Sequence, residues 1–318
     1  MYIGIDLGGT NIAVGLVNNS GEIIAQGSVP TKREREYTAI VADMATLCAD
    51  LLRQNGLTTA DVRAVGIGSP GTVDFATGTV VYANNLKMDH AALADEFRKH
   101  MDVPVFLEND ANAAAYGEYV ATGEKVNSFI FMTLGTGVGG GIVLDGKVYH
   151  GFNSAGGEIG HTSIIMDGKP CTCGRKGCLE AYASVTALIS QTAEKCYQYP
   201  DSAMNAFVRE HNGVITGRTA FQCAAKGDLA AIEVRDQYIR YIAEGVCNLI
   251  NIFQPDIFVI GGGISKEGDT LLNPIRRFVE ENDYNKYLSR TQIKIAKLFN
   301  DAGIVGAAMV AANTIGDR

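Results

Sequence analysis

Apolar residues near the N-terminus fall in short runs separated by glycine turns, and the same pattern returns once further along. Tyr2 to Ile5 and Ile12 to Val17 flank one glycine turn, and Asn18-Asn19-Ser20-Gly21 closes the second run. This predicts consecutive hairpin strands. At Phe129 to Val148 the stretch FIFMTLGTGVGGGIVLDGKV repeats the plan. Aligning Leu7-Gly8 with Leu134-Gly135 sets run on run, turn on turn, and Asn18–Gly21 near Asp145-Gly146. Two such units imply two halves of similar topology. Between them the spacing predicts helices over Tyr37 to Gln54 and Ala91 to His100, and an apolar strand ending in a turn over Val65 to Gly71. A further strand, Pro104 to Leu107, runs into Glu108-Asn109-Asp110 and an alanine-rich helix. Beyond a cysteine cluster the pattern is mostly helical from Glu180 to about Phe253. It then gives a strand, Asp256 to Ile260, ending in Gly261-Gly262-Gly263, and last a small-residue helix from Ala302. Strands alternating with helices mean an α/β fold. We place the domain break near Gly117 to Asn127. That gives an N-terminal domain 1–120, a C-terminal domain 121–301, and a final helix 302–318 expected to pack back on the first domain.

Length agrees with two domains, since 318 residues exceed the roughly 100–200 of one. With 47% hydrophobic and 19% charged residues the composition is far from a disordered one. A formal net charge of −8 argues against a nucleic-acid partner, which would need a basic patch. No stretch approaches the roughly 20 apolar residues of a membrane span, and the opening MYIGIDLGG has no secretory pattern. The expected compartment is the cytoplasm, with no membrane partner. Seven cysteines do not make a disulfide framework in a chain this long. Cys48, Cys196, Cys223 and Cys247 are scattered among apolar or helical stretches, as small buried thiols are.

The remaining three carry chemistry. His161, Cys171, Cys173 and Cys178 bring four metal-ligand side chains into 18 residues, with Gly168, Gly174 and Gly177 to bend the loop. Three thiolates and an imidazole complete a tetrahedral Zn²⁺ with no open position, so the zinc of loop 161–178 is expected to be structural. It would carry Glu158 and Glu180 into one neighbourhood, where carboxylates suit the paired hydroxyls of a polyol. Solvent-exposed glutamates are the plainer alternative. Gly8-Gly9-Thr10 and Gly135-Thr136-Gly137 are glycine turns of the kind whose N–H groups cradle phosphate, each with an added hydroxyl. Such turns also serve simply as hairpins, and neither matches a P-loop or GxGxxG. With the third glycine run they favour a nucleotide held between two domains. Asp6, just before the first turn, could hold a hydrated Mg²⁺. Asp110 opens a helix after a strand, as an ordinary N-cap does. The same placement suits an ionised carboxylate that accepts a proton from a substrate hydroxyl.

DLGGTN, LGTGVGGG, ENDANAAA, GGEIGH, CTCGRKGCLE and the late GGG together resemble the ROK family of sugar kinases, and among them the bacterial ATP-dependent glucokinases. The resemblance extends from Gly4 to DAGIVGAA. It implies the two-domain actin/hexokinase-like (ribonuclease H-like) fold with an interdomain cleft, and transfer of the γ-phosphate of ATP to the 6-hydroxyl of a hexose, most simply glucose. It implies that Gly8, Gly9, Thr10, Gly135, Thr136 and Gly137 hold the phosphates and that Gly262 and Gly263 lie against adenosine. Asp110 becomes the base. Asn109, Glu158, His161 and Glu180, assisted by Gly71 and Asn84, become the sugar ligands, with Mg²⁺ accompanying ATP. A homodimer or higher homo-oligomer is expected, with Glu180 to Tyr241 as its interface. Family repressors carry a helix-turn-helix domain before the kinase-like part, for which a chain opening on the DLGGT strand leaves no room. One departure concerns Asn84 to Met88, where relatives often carry an aromatic residue after the Asn-Leu pair. It bears on the sugar pocket wall and keeps N-acetylmannosamine and N-acetylglucosamine kinases as alternatives. A non-catalytic sugar sensor is a remoter one, and polyphosphate an alternative donor.

Overall fold

The computed structural model describes residues 1–316 of the chain. β1 (Tyr2–Leu7), β2 (Asn11–Val17) and β3 (Ile23–Pro30) form an antiparallel meander. β3 alternates half-buried and exposed positions, as a strand at a sheet edge does. α1 (Tyr37–Gln54) turns Ile40, Val41, Met44, Cys48, Leu51 and Leu52 inward, one helical face that closes over β2 and β3. β4 (Ala64–Ser69) is buried along its length and lies parallel to β1. Three short strands follow, β5 (Thr72–Asp74), β6 (Thr79–Ala83) and β7 (Met88–Ala91), in a small antiparallel sheet. The expected helix from Ala91 shortens to α2 (Leu93–Arg98), because Met88–Ala91 pairs with β6. β8 (Val105–Asn109) adds to the first sheet beside β4, giving the order β3-β2-β1-β4-β8, and leads directly into α3 (Asp110–Thr122).

β9 (Ser128–Leu134) and β10 (Val138–Leu144) flank the second glycine turn, and β10 pairs with β11 (Lys147–Val148). The helical stretch after the cysteine loop is five helices: α4 (Glu180–Ala183), α5 (Val185–Gln198), α6 (Ala203–Glu210), α7 (Thr219–Ala225) and α8 (Leu229–Phe253). Side-chain caps at Ser184, Ser202 and Asp228 start α5, α6 and α8. β12 (Ile257–Gly261) runs parallel to β9, α9 (Asp269–Asn282) follows, and β13 (Gln292–Ile295) runs parallel to β12.

The chain ends in α10 (Ala302–Thr314), which is apolar all round and almost wholly buried against β1, β4 and α3. Its backbone approaches so closely that a Cβ at Gly66 would fall into the Ala307 carbonyl. Positions 317 and 318 of the expected helix lie outside the described residues. Contacts divide the chain into two units. The first comprises Met1–Asn127, Gly141–Gly157 and the stretch from Lys297 onward; the second comprises Ser128–Gly140 and Glu158–Ala296.

Candidate active site

In the first unit, parallel strands β1, β4 and β8 end level with one another. Asp6 pairs with Gly68, Gly68 with Glu108, and Ser69 with Asn109. The carboxyl ends of parallel strands are where α/β sheets place ligands, and here they carry Asp6, the turn at Gly71 and Asn109-Asp110. The two aspartates are near enough for charge to couple them. Burial, and then the charge of Asp110, push Asp6 up to about 6. Burial also raises Asp110, against the pull of the Ala111 N–H that bonds its Oδ1 at 2.8 Å. A carboxylate poised above its ordinary range is chemically suited to take a proton near neutral pH.

Asn109 is fully engaged. Its Oδ1 accepts from the N–H groups of Ala111 and Asn112 and so caps α3, while its Nδ2 donates to the Gly71 carbonyl at 3.1 Å. The turn Gly8-Gly9-Thr10 is closed by the Gly8 N–H donating to Asn11 O. Thr31, fully buried, donates its hydroxyl to Gly8 O at 2.6 Å and its N–H to Thr10 O at 2.9 Å. This clamp has no sequence signal beyond a threonine after a strand. Asn84 is exposed in a single turn next to Asn85, whose carbonyl lies beside Gly9. Met88 instead belongs to the core at 4% exposure. Its thioether is therefore packing, not exposed wall.

In the second unit, the turn Gly135-Thr136-Gly137 is docked on the start of α5. Val185 N–H donates to Gly135 O at 2.8 Å, and the Thr186 hydroxyl donates to Thr136 O at 2.7 Å. A helix start favours anions, which suits a phosphate turn. Glu180 accepts from the Val138 N–H through Oε2 at 3.0 Å, while its Oε1 takes Cys171 Sγ and Thr172 Oγ1 at 3.6 and 3.4 Å. A Cβ at Gly137 would meet that carboxylate, so a side chain there displaces Glu180. Glu180 therefore braces both the glycine turn and the cysteine loop. Glu158 is exposed, just ahead of the turn Ile159–His161. Gly262 and Gly263 follow β12, and Ser265 holds that turn through Gly262 O.

The ligand atoms of His161, Cys171, Cys173 and Cys178 lie within 4.8 Å of one another. Cys173 and Cys178 sulfurs are 3.7 Å apart, and Cys171 Sγ is 3.6 Å from His161 Nδ1. Zn–S bonds of about 2.3 Å and Zn–N of about 2.0 Å give tetrahedral edges of about 3.5–3.8 Å. The four residues fit Zn²⁺. Arg175 steadies the loop by donating to His161 O at 2.9 Å.

Comparison with known proteins now decides the family. The model described as "ROK family" matches residues 2–314. The chain belongs to the ROK family. Among ROK proteins, it is 36% identical to a glucokinase of Halalkalibacterium halodurans, covering 96% of this chain and 93% of that one. It is 35% identical to a glucokinase of Thermotoga maritima, over 99% and 98%. An N-acetylmannosamine kinase of Yersinia pestis matches at 30%, over 98% and 99%. Among solved structures, a ROK glucokinase from Streptomyces griseus in complex with glucose and AMPPNP superposes with a TM-score of 0.81 at 35% identity, over 98% and 99%. The fold is that of the actin/hexokinase-like ROK sugar kinases.

Proposed function

We propose that this ROK protein transfers the γ-phosphate of ATP to the 6-hydroxyl of glucose. The reading is carried by one observation, the charge-coupled pair Asp6 and Asp110 at the strand ends beside the Gly8–Thr10 turn. Asp110 accepts the proton of the attacking hydroxyl, and Asn109, held at the Gly71 turn, is a sugar ligand beside it. On the second unit, Glu158, His161 and Glu180 are the further sugar ligands, and Gly135–Gly137 with Gly262 and Gly263 take the nucleotide. Asp6 would hold, through water, a Mg²⁺ ion that neutralises the transferring phosphoryl charge. His161, Cys171, Cys173 and Cys178 would hold Zn²⁺ with no position left open, a source of order and not of reactivity. The glucokinase likeness supports glucose, and the Yersinia relative keeps an acetamido sugar as the second reading.

A coupled ADP-release assay with Mg-ATP against glucose, mannose, fructose, N-acetylglucosamine and N-acetylmannosamine tests this. Preference for glucose is expected. Preference for an acetamido sugar overturns the substrate, and sugar binding without turnover with any of them overturns the kinase reading. Asp110→Asn should abolish turnover while leaving sugar binding largely intact; near-normal turnover removes Asp110 as base.

A further inference from the structure

The residue before the Asn109-Asp110 pair is itself a buried acid. Glu108 is 2% exposed at the end of β8. A carboxylate removed from water in this way is costly unless its oxygens are bonded. Oε1 accepts from Asn109 N–H at 2.9 Å and from Asn112 Nδ2 at 3.1 Å. Oε2 takes its bond from outside the helix, from His150 Nε2 at 2.7 Å. An ionised carboxylate only accepts, so Nε2 is the donor. The imidazole is held on its other side by Phe75, with ring centroids 3.9 Å apart. Phe75 directly follows β5, the strand reached through the Gly71 turn that Asn109 grips. On the chain side, the His150 carbonyl accepts from Gly156 N–H at 2.9 Å and so closes the loop 150–156.

We propose that His150 is a positioning residue for phosphoryl transfer, acting through Glu108 to set the Asn109-Asp110 turn at the head of α3. The inference rests on Asp110 being the base. Without the imidazole donor, Oε2 of Glu108 is a buried acceptor with nothing to accept. The carboxyl then rotates toward another donor, which weakens its grip on Asn109 N–H and Asn112 Nδ2. Those two bonds fix the first turn of α3, which carries Asp110. An error of about 1 Å at a reacting group costs up to about 100-fold in rate.

His150→Phe keeps the ring against Phe75 and deletes the donor; His150→Gln restores an amide donor. With the sugar preferred in the panel, His150→Phe is expected to lower kcat about 10- to 100-fold while KM for ATP stays within about twofold. His150→Gln should recover most of the loss. Glu108→Gln should lose a similar factor, and Glu108→Gln with His150→Phe no more than either alone, because both act through one bond. A structural lesion would not split kcat from KM in this way, nor be rescued by glutamine. Retention of kcat by His150→Phe, or losses that multiply in the double variant, overturns the inference. If His150→Phe does not fold, Glu108→Gln decides alone by the same kcat criterion. Asp110→Asn runs in the same assay. If it is inactive while His150→Phe is normal, only the positioning role falls. If Asp110→Asn is active, the base assignment falls and takes this inference with it.

Discussion

Asp6 illustrates how a buried carboxylate works against its own fold. Its pKa rises from 3.8 to about 6, through burial first and Asp110 second. The folded state thus holds the proton more tightly than the unfolded chain. The stability this supplies is full below about pH 4 and is lost as pH rises through about 6. Asp6→Asn removes that dependence, so the variant should gain on the parent above pH 6, by at most about 3 kcal/mol. Urea unfolding of both proteins at pH 5 and 7.5 measures it, and parallel pH dependence would contradict the burial. The raised Asp110 makes a matching kinetic expectation: the acid limb of the kcat/KM profile should lie above the ordinary aspartate range. Asp6, Asp110 and the glycine turns each have an ordinary use as a strand-end acid, a helix cap or a hairpin, and stand out in the sequence because they recur together in local motifs. Thr31 and the Glu108–His150 pair do not, because Thr31 Oγ1 bonds Gly8 from 23 residues away and Glu108 meets His150 from 42.

Two elements, the cysteine loop of the second unit and α10 of the first, differ in how visible they are in the sequence. The cysteine loop was legible whole, because metal ligands come close in sequence as well as in space. Cys173→Ala should lose bound zinc and sugar affinity together, and through Glu180 should also weaken ATP. Zinc by atomic absorption and ligand affinities by calorimetry check this; normal sugar binding without zinc would make the loop remote from the site. α10 was legible as a helix, but its tight approach was not, since nothing local pairs Gly66 with Ala307. Gly66→Val would drive a branched side chain into the Ala307 carbonyl. We expect a loss of at least 3 kcal/mol, of the order of severe overpacking, read as a thermal shift by circular dichroism. A melting temperature near the parent's would refute the approach. The small sheet β5-β6-β7 escaped because its strands are three to five residues long, too short for a period to register.

At the scale of the molecule, the pattern of the chain suggests a break near Gly117 to Asn127 and a final helix returning to the first domain. Contacts instead carry the chain between the two units at 127/128, 140/141, 157/158 and 296/297, so the excursion Gly141–Gly157 is the part without a sequence signal. The reason is that a unit's core is completed by segments far apart in sequence, and periodicity sees only neighbours. The first unit needs α10 from the far end. A fragment of residues 1–127 should therefore not fold alone, because β1 and β4 would expose the apolar face that α10 covers. Circular dichroism of the fragment tests this, and a cooperative melt would show that α10 is dispensable. A chain truncated at residue 296 should fail in the first unit for the same reason.

Glu180 gives the site a shared history. One carboxylate supports the Val138 amide after the Gly135–Gly137 turn and reaches the cysteine loop at Cys171 and Thr172. On the proposed roles, selection for a different sugar cannot alter this side chain without also perturbing how the nucleotide is seated. New substrate preferences in descendants of this chain should thus arise first at the Asn84 and Glu158 positions, where exposed side chains can change one at a time, and the Glu180 position should be the last to drift.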